Sequence, residues 1–259
     1  MNTYKTSEVA KMIGVHPNTV RFYEEWGLIP QAKRKANGYR VFTDFHIEQL
    51  RLARIAFQIE ILQNGLRKKI VETVKVSANG DFDKALALAN EYLVQIYQEQ
   101  KNAEEAIGIV KQLLSGKPIR DERYLKRKEV SETLNITMDT LRNWELNGLL
   151  SVKRKKNGYR VYTDHDIRRL KIIRSLRCAN YSLEAILRML NELSMNPQVN
   201  LKKVLNTPKD DTDIISACDK LIVSLQEAER NAEKIIEILH NMKSRFYQSI
   251  FQTRSNPPS

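Results

Sequence analysis

Cysteine is nearly absent. Cys178 and Cys218 are the chain's only two, too few for a disulfide framework and suited to a reducing compartment. Both read as core residues, and no cluster of cysteine ligands exists. His16, His46, His165 and His240 are scattered without ligand spacing, so neither a metal nor a cofactor is expected. No apolar run approaches the roughly 20 residues a membrane span needs. The start Met1-Asn2-Thr3-Tyr4-Lys5 has no apolar signal core, and a cytoplasmic protein without membrane association is expected. A phosphate-binding glycine loop, a nucleophile elbow and a plausible pair of catalytic carboxylates are all missing, which argues against an enzyme.

What is present is positive charge, unevenly placed. The net charge is +12. Residues 1 to 58 hold nine Lys/Arg against five Asp/Glu, and residues 117 to 177 hold seventeen against eight. The stretches 59 to 116 and 178 to 259 are near neutral, with seven against eight and ten against ten. Excess charge confined to two blocks is the footprint of a polyanion, nucleic acid above all.

The same two blocks repeat one another. Asn37-Gly38-Tyr39-Arg40-Val41-Phe42-Thr43-Asp44 returns as Asn157-Gly158-Tyr159-Arg160-Val161-Tyr162-Thr163-Asp164. Upstream, Thr19-Val20-Arg21-Phe22-Tyr23-Glu24 with Gly27-Leu28-Ile29 is matched by Thr140-Leu141-Arg142-Asn143-Trp144-Glu145 with Gly148-Leu149-Leu150. A spacing of about 120 residues exceeds solenoid periods and indicates a duplicated domain.

Each copy opens with helix, tight turn, helix. In the first, Thr6 or Ser7 can cap a helix with Val9, Met12 and Ile13 on its apolar face, and Gly14 ends it. A second helix starts near Pro17, where a missing N–H costs nothing. In the second copy Val130, Leu134 and Ile136 take the apolar places and Asn135 the left-handed turn. Asp139 can cap the following helix. Basic hairpins come next, with Lys33, Arg34 and Lys35 in one and Lys153, Arg154, Lys155 and Lys156 in the other, suited to phosphate contacts. Retained core positions beside changed outward ones indicate two readers of two unlike half-sites.

Taken together, these residues make each module resemble the winged helix-turn-helix of the MerR family of bacterial transcriptional regulators. The match covers most of residues 3 to 60 and 123 to 178. It implies that Arg21, Arg34, Lys35, Arg40, Arg142, Arg154, Lys155 and Arg160 face the phosphate backbone, with Tyr39 and Tyr159 beside them. Base edges fall to His16, Asn18 and Thr19 in one module and to Thr137, Asp139 and Thr140 in the other, and Asn143 is counted with the DNA-contacting residues. Asn18 suits adenine and Asp139 suits cytosine, although Asp139 is also the cap candidate. Tyr23 and Trp144 either flank the DNA or serve as core aromatics.

Two heptad stripes complete the pattern. One runs from Phe82 through Leu86, Leu93, Ile96, Gln100 and Ile107 to Leu114, the other from Ile214 through Leu221, Leu225, Ile235 and Leu239 to Phe246. Neither helix can bury such a stripe alone. MerR-type regulators dimerise through one such helix per subunit, antiparallel; here one chain supplies both.

The expected fold is therefore mainly α. It comprises a winged helix-turn-helix domain at 1–78 and its coil helix at 79–116, a second such domain at 117–207 and its coil helix at 208–250, and a disordered tail at 251–259. Helices over 44–59, 163–177, 65–76 and 182–193 fill the gaps. The two long helices form an antiparallel intramolecular coiled coil in which Gln100 sets register, making the chain a pseudo-dimer in preference to a homodimer. The expected function is sequence-specific binding of double-stranded promoter DNA as a transcriptional regulator. One chain occupies an asymmetric operator, and the resemblance implies that the promoter is bent and untwisted there, with RNA polymerase as the partner. An architectural DNA-binding role in recombination or plasmid maintenance is the alternative reading. A third is a small-molecule sensor with Phe57, Tyr92, Tyr97 or Tyr181 lining its pocket.

Overall fold

The computed structural model describes residues 2–58, 62–115, 124–154, 158–195 and 214–255. Among them lie ten helices and six short strands. The first module holds β1 (Thr3–Tyr4), α1 (Thr6–Ile13), α2 (Pro17–Glu25), β2 (Lys33–Arg34), β3 (Arg40–Thr43) and α3 (Asp44–Ala56). Next come α4 (Leu66–Ala78) and the long α5 (Phe82–Leu114). The second module repeats the order with β4 (Tyr124–Leu125), α6 (Arg127–Leu134), α7 (Met138–Leu146), β5 (Lys153–Arg154), β6 (Arg160–Thr163) and α8 (Asp164–Cys178). After it come α9 (Leu183–Met195) and the long α10 (Ile214–Ser255). The mainly helical class is as expected. No described helix is long and apolar enough to cross a membrane.

Local chemistry explains most boundaries. Gly14 and Asn135 close α1 and α6 in the left-handed region, at φ 72° and 49°, the conformation expected of both. Pro17 stands in the first turn of α2. Neither Thr6 nor Ser7 caps α1: Lys5 is the cap residue, and the Glu8 carboxylate accepts its N–H at 2.7 Å. Helix α3 ends at Ala56 rather than near Ile59. Helix α10 continues through Ser255, so the tail expected from 251 is helical for its first five residues. Nothing in Gln252-Thr253-Arg254-Ser255 breaks a helix. Residues 256–259 lie outside the described residues, as do 116–123 between the first long helix and the second module.

Two-residue strands are invisible to a period-2 pattern, so β1 and β4 were not expected. Each completes a three-stranded antiparallel sheet, in the orders β1-β3-β2 and β4-β6-β5. Thr3 pairs with Thr43 and Tyr124 with Thr163, while Lys33 pairs with Val41 and Lys153 with Val161.

The chain divides into two compact units. The first gathers Met1–Glu60, Gly65–Tyr97 and Gln226–Ser259. Val9, Val20, Ile29, Phe42, Ile47 and Leu50 form the core of its module. Phe45 of α3 meets Phe82 of α5 edge-on at 6.0 Å and Phe246 of α10 at 5.4 Å. Beside this aromatic group, Lys243 is ion-paired with Asp83, so the start of α5 and the end of α10 share one core. A buried amide also ties α3 to its neighbours: Gln49 donates to the carbonyls of Leu28 and Val74 and accepts from Ser77 at 2.8 to 3.0 Å.

The second unit gathers Ile61–Asn64 and Gln98–Leu225. One apolar cluster joins Val130, Trp144, Tyr162 and Leu170 of the module to Ile107 and Val110 of α5 and to Ile214 and Cys218 of α10. Within it Arg174 makes two bonds to the Glu99 carboxylate, at 2.6 and 2.8 Å, and a third to the Leu134 carbonyl at 2.7 Å. The side chains are 7% and 2% exposed, and a buried pair is tolerable only when its hydrogen bonds are satisfied in this way. The polar residue buried on α5 is thus Glu99, while Gln100, expected to set register, is half-buried.

Of the expected seam, Leu86, Ile96, Ile107, Leu221, Leu225, Ile235 and Leu239 are buried, and Leu93 is half-buried. Cys178 and Cys218 are buried, as core readings require. Burial pushes the Cys178 thiol well above its ordinary range, away from the reactive thiolate form.

The third helix of each module begins on the same bracket built from different residues. Thr163 N–H and Oγ1–H both reach the Asp166 carboxylate at 2.9 Å. In the first module His46 Nδ1 stands at the corresponding place, 3.1 Å from the Thr43 N–H. Burial holds the His46 imidazole below its ordinary pKa, against the opposing pull of the Gln31 backbone and the Glu24 carboxylate. The folded state therefore disfavours the imidazolium, and stability present above the unfolded value near 6.5 is lost as pH falls below it. His46→Asp transplants the second module's bracket and should shrink the loss in urea-unfolding free energy between pH 7.5 and 5.5. An equal loss in variant and wild type would remove His46 as its source.

Candidate nucleic-acid interface

The second helix of each helix-turn-helix stands on a cap that is also a candidate reading residue. His16 caps α2, its Nδ1 accepting from the Asn18 N–H at 3.2 Å. In α7 the cap is Thr137, whose Oγ1 accepts from the Thr140 N–H at 3.1 Å. Asp139, the expected cap, lies instead in the first turn, exposed, where a carboxylate still complements the helix dipole. A threonine two residues earlier reaches the free N–H groups first.

From these starts, α2 turns Asn18, Arg21 and Phe22 outward, and α7 turns Asp139, Arg142 and Asn143 outward. Thr19 and Thr140 are half-buried. Arg21 donates to the Asn18 side-chain oxygen at 3.3 Å, which links a candidate phosphate contact to a candidate base contact. Trp144, placed beside the DNA in one reading, is 4% exposed and belongs to the core cluster. Its large apolar area wins over a surface role. Tyr23, its counterpart, is half-buried and sits edge-on to Phe57 at 6.3 Å. Burial raises its phenol pKa, against the lowering influence of Arg54 and Arg67.

The hairpins project from this platform. Gly38 adopts φ 81° in a turn closed by the Lys35 N–H on the Tyr39 carbonyl at 2.9 Å. Only glycine takes that conformation without strain. Lys33, Arg34 and Lys35 are exposed, as are Lys153 and Arg154; Lys155 lies outside the described residues. Tyr39 and Tyr159, at the hairpin tips, are 72% and 73% exposed.

What binds hairpin to helix is a carboxylate that sequence reasoning left as part of a motif. Glu24 Oε2 accepts from Arg40 Nε at 2.5 Å, and Oε1 accepts from the Ala32 N–H at 3.0 Å. In the second module Glu145 Oε2 accepts from Arg160 Nε at 2.6 Å, and its other oxygen lies 3.9 Å from Arg154. Arg40 and Arg160 are thus held by a paired acid at the rim of the basic surface. The one signal that pointed to this pairing was the recurrence of Glu and Arg at matched places in both copies. Arg21, Phe22, Glu24, Arg34 and Arg40 line one cleft of about 510 Å³ between α2 and the hairpin. Among the described residues no group of three or more His, Cys, Asp or Glu is placed to hold a metal. Exposed cations around a cleft with outward amides suit phosphate positioning and groove contacts.

Glu24→Ala leaves the Ala32 N–H and the Arg40 guanidinium without that acceptor. It should lower unfolding free energy by about 1–3 kcal/mol, read by urea denaturation. Glu145→Ala should cost less, since no hydrogen bond of Glu145 to a hairpin N–H matches that of Glu24 to Ala32. Equal stability of the Glu24 variant and wild type would remove the clamp as a structural element.

Comparison with known proteins agrees with this geometry. Residues 5–42 match the model of the MerR family regulatory protein, and residues 125–193 match that of the MerR HTH family regulatory protein. The HTH-type transcriptional regulator CueR of Escherichia coli O6:H1 is 45% identical over 53 residues, covering 20% of this chain and 39% of that protein. YfmP of Bacillus subtilis, also an HTH-type transcriptional regulator, is 29% identical over 143 residues, 54% of this chain and 79% of its own length. ZntR of Escherichia coli K12, with the same description, is 36% identical over 65 residues, 25% of this chain and 46% of its own. The chain thus spans well under two thirds of the length of CueR. No solved structure matches. Two family matches at separate positions, each falling on a helix-turn-helix with its hairpin, identify the chain as a member of the MerR family with two tandem MerR-type domains.

Proposed function

We propose that the protein is a cytoplasmic, DNA-binding transcriptional regulator that occupies one duplex as a single-chain pseudo-dimer. The observation that carries this reading is the sharing of both long helices. The first unit takes the start of α5 with the end of α10, and the second takes the rest of α5 with the start of α10. That pattern is what an antiparallel coiled coil within one chain produces, and a chain so built carries two readers without a second subunit. Since the two readers present different outward residues, the matching operator is asymmetric.

In this reading α2 and α7 enter successive major grooves. Asn18 and Asn143 lie toward base edges, while Thr19 and Thr140 stand closer to the scaffold. Arg21, Arg142 and the hairpin cations fix register on phosphates. Arg40 and Arg160 reach phosphate from positions set by Glu24 and Glu145, with Tyr39 and Tyr159 beside them. Two readers joined in one chain favour duplexes whose grooves match the readers' separation or bend to it cheaply. Bending a site by 40–90° costs on the order of 1–6 kcal/mol. Such deformation realigns promoter elements for RNA polymerase, the expected partner at the site.

Native mass spectrometry of the full chain, with a duplex it has itself recovered from a randomised library, should show one chain per duplex. Two chains per duplex would replace the pseudo-dimer with pairing between subunits. Arg40→Ala and Arg160→Ala should each weaken binding to every sequence and lower the salt slope of the association constant by about one unit. Unchanged affinity at all salt concentrations would take those arginines out of the interface.

A further inference from the structure

The outward stripes of the two second helices occupy matching positions and differ in kind. Along α2 and its C-cap the stripe is Asn18, Phe22 and Trp26; along α7 and its C-cap it is Asp139, Asn143 and Asn147. Phe22 and Trp26 are 50% and 59% exposed, and their rings stack with centroids 5.8 Å apart and planes 24° from parallel. The second module has two amides at those places. Asn147 Nδ2 donates to the Asn143 carbonyl at 2.8 Å and to its side-chain oxygen at 2.9 Å.

Two large rings held in water on an otherwise polar helix face mark a surface that is covered in use. Phe22 lines the same cleft as Arg21, Arg34 and Arg40, so the apolar patch is continuous with the cationic surface assigned to DNA. The rest of the inference depends on that assignment. A phenyl ring has no donor or acceptor and cannot read a base by hydrogen bonding. The major-groove edge carries one apolar group, the thymine C5-methyl, which G·C pairs lack.

The amide pair is the opposite case. With its side-chain oxygen already accepting from Asn147, the exposed Asn143 has its NH₂ to offer as a donor. The matching feature in the groove is an acceptor such as purine N7.

We propose that Phe22, backed by the stacked Trp26, reads thymine C5-methyl groups in one half-site, whereas Asn143, held by Asn147, reads a purine acceptor in the other. The two readers are then told apart by chemistry: one half-site is selected through apolar contact, the other through a hydrogen bond. A duplex presented in the reverse orientation places a ring against an acceptor and an amide against a methyl, so the same pair of stripes fixes the direction in which the chain lies on DNA.

The test uses the full chain and the tightest duplex it recovers from a randomised library. That duplex is remade with deoxyuridine for thymidine in one half at a time, and separately with 7-deazapurines. Removing each contacted methyl should weaken binding about fourfold in one half and leave the other unaffected. Loss of purine N7 should weaken binding in the opposite half. The double variant F22N/W26N copies the second module's residues at exposed positions, and an unchanged thermal midpoint checks its fold. It should lose the uracil sensitivity and keep the 7-deazapurine sensitivity. Tight binding without uracil sensitivity, or with sensitivity that persists in the variant, overturns the thymine assignment while leaving DNA binding intact. Insensitivity to 7-deazapurines overturns the Asn143 assignment, and failure to recover any duplex overturns the DNA-binding reading itself.

Discussion

Two long helices, each with an apolar stripe along its length, set the constraint that the rest of this structure answers. A stripe of that length is left in water unless another element covers it, and burial of each large aliphatic or aromatic side chain is worth about 1.5–3 kcal/mol. Here Leu86, Ile96, Ile107 and Val110 on α5 and Leu221, Leu225, Ile235, Leu239 and Phe246 on α10 are all buried. They are buried in units that draw on distant parts of the chain, the first combining residues near its beginning and its end. The modules attach to these cores through their third helices. Phe45 of α3 packs between Phe82 and Phe246, and Arg174 of α8 reaches Glu99.

The duplicated modules preserve positions more faithfully than residues. Gln49 and Arg169 differ in charge, yet each donates to the carbonyl of the leucine after the second helix, Leu28 in one module and Leu149 in the other. Arg54 and Arg174 both donate to carbonyls at the end of the first helix, Ile13 and Gly14 in one and Leu134 in the other. His46 and Asp166 open the third helix from the same side. A backbone group that must be satisfied defines each place, and any side chain of suitable reach and polarity serves it. The outward stripes obey no such requirement, and there Phe22 and Trp26 differ in character from Asn143 and Asn147. Duplication has kept what the fold demands and left the outward stripes to differ.

Much of this was legible in the sequence because it depends on spacing along the chain. Helix stops at Gly14 and Asn135, the start at Pro17, the basic hairpins and the two stripes all follow from local conformational preference or helical period. The misreadings share a cause. Asp139 and Thr137 are both competent caps, and the choice between them turned on which oxygen lies nearer the free N–H groups. Trp144 and Tyr23 are aromatic at one motif position, and only packing decided that Trp144 is fully buried while Tyr23 keeps an exposed edge. Strands of two residues carry no period at all, so β1 and β4 emerge only when β3 and β6 supply partners.

The sequence by itself determined the family, the two-module plan, the separation of charge and the need of each long helix for a partner. These are properties of residue type and spacing, which short-range sterics and amphipathic periodicity convert into local structure. Tertiary structure alone decided which carboxylate holds which arginine. Glu24 with Arg40, Glu145 with Arg160 and Glu99 with Arg174 join groups 16, 15 and 75 residues apart. It also decided which aromatic rings stand in the core and which stand in water. Ion pairing and burial depend on distance in space, and a linear pattern does not carry that distance.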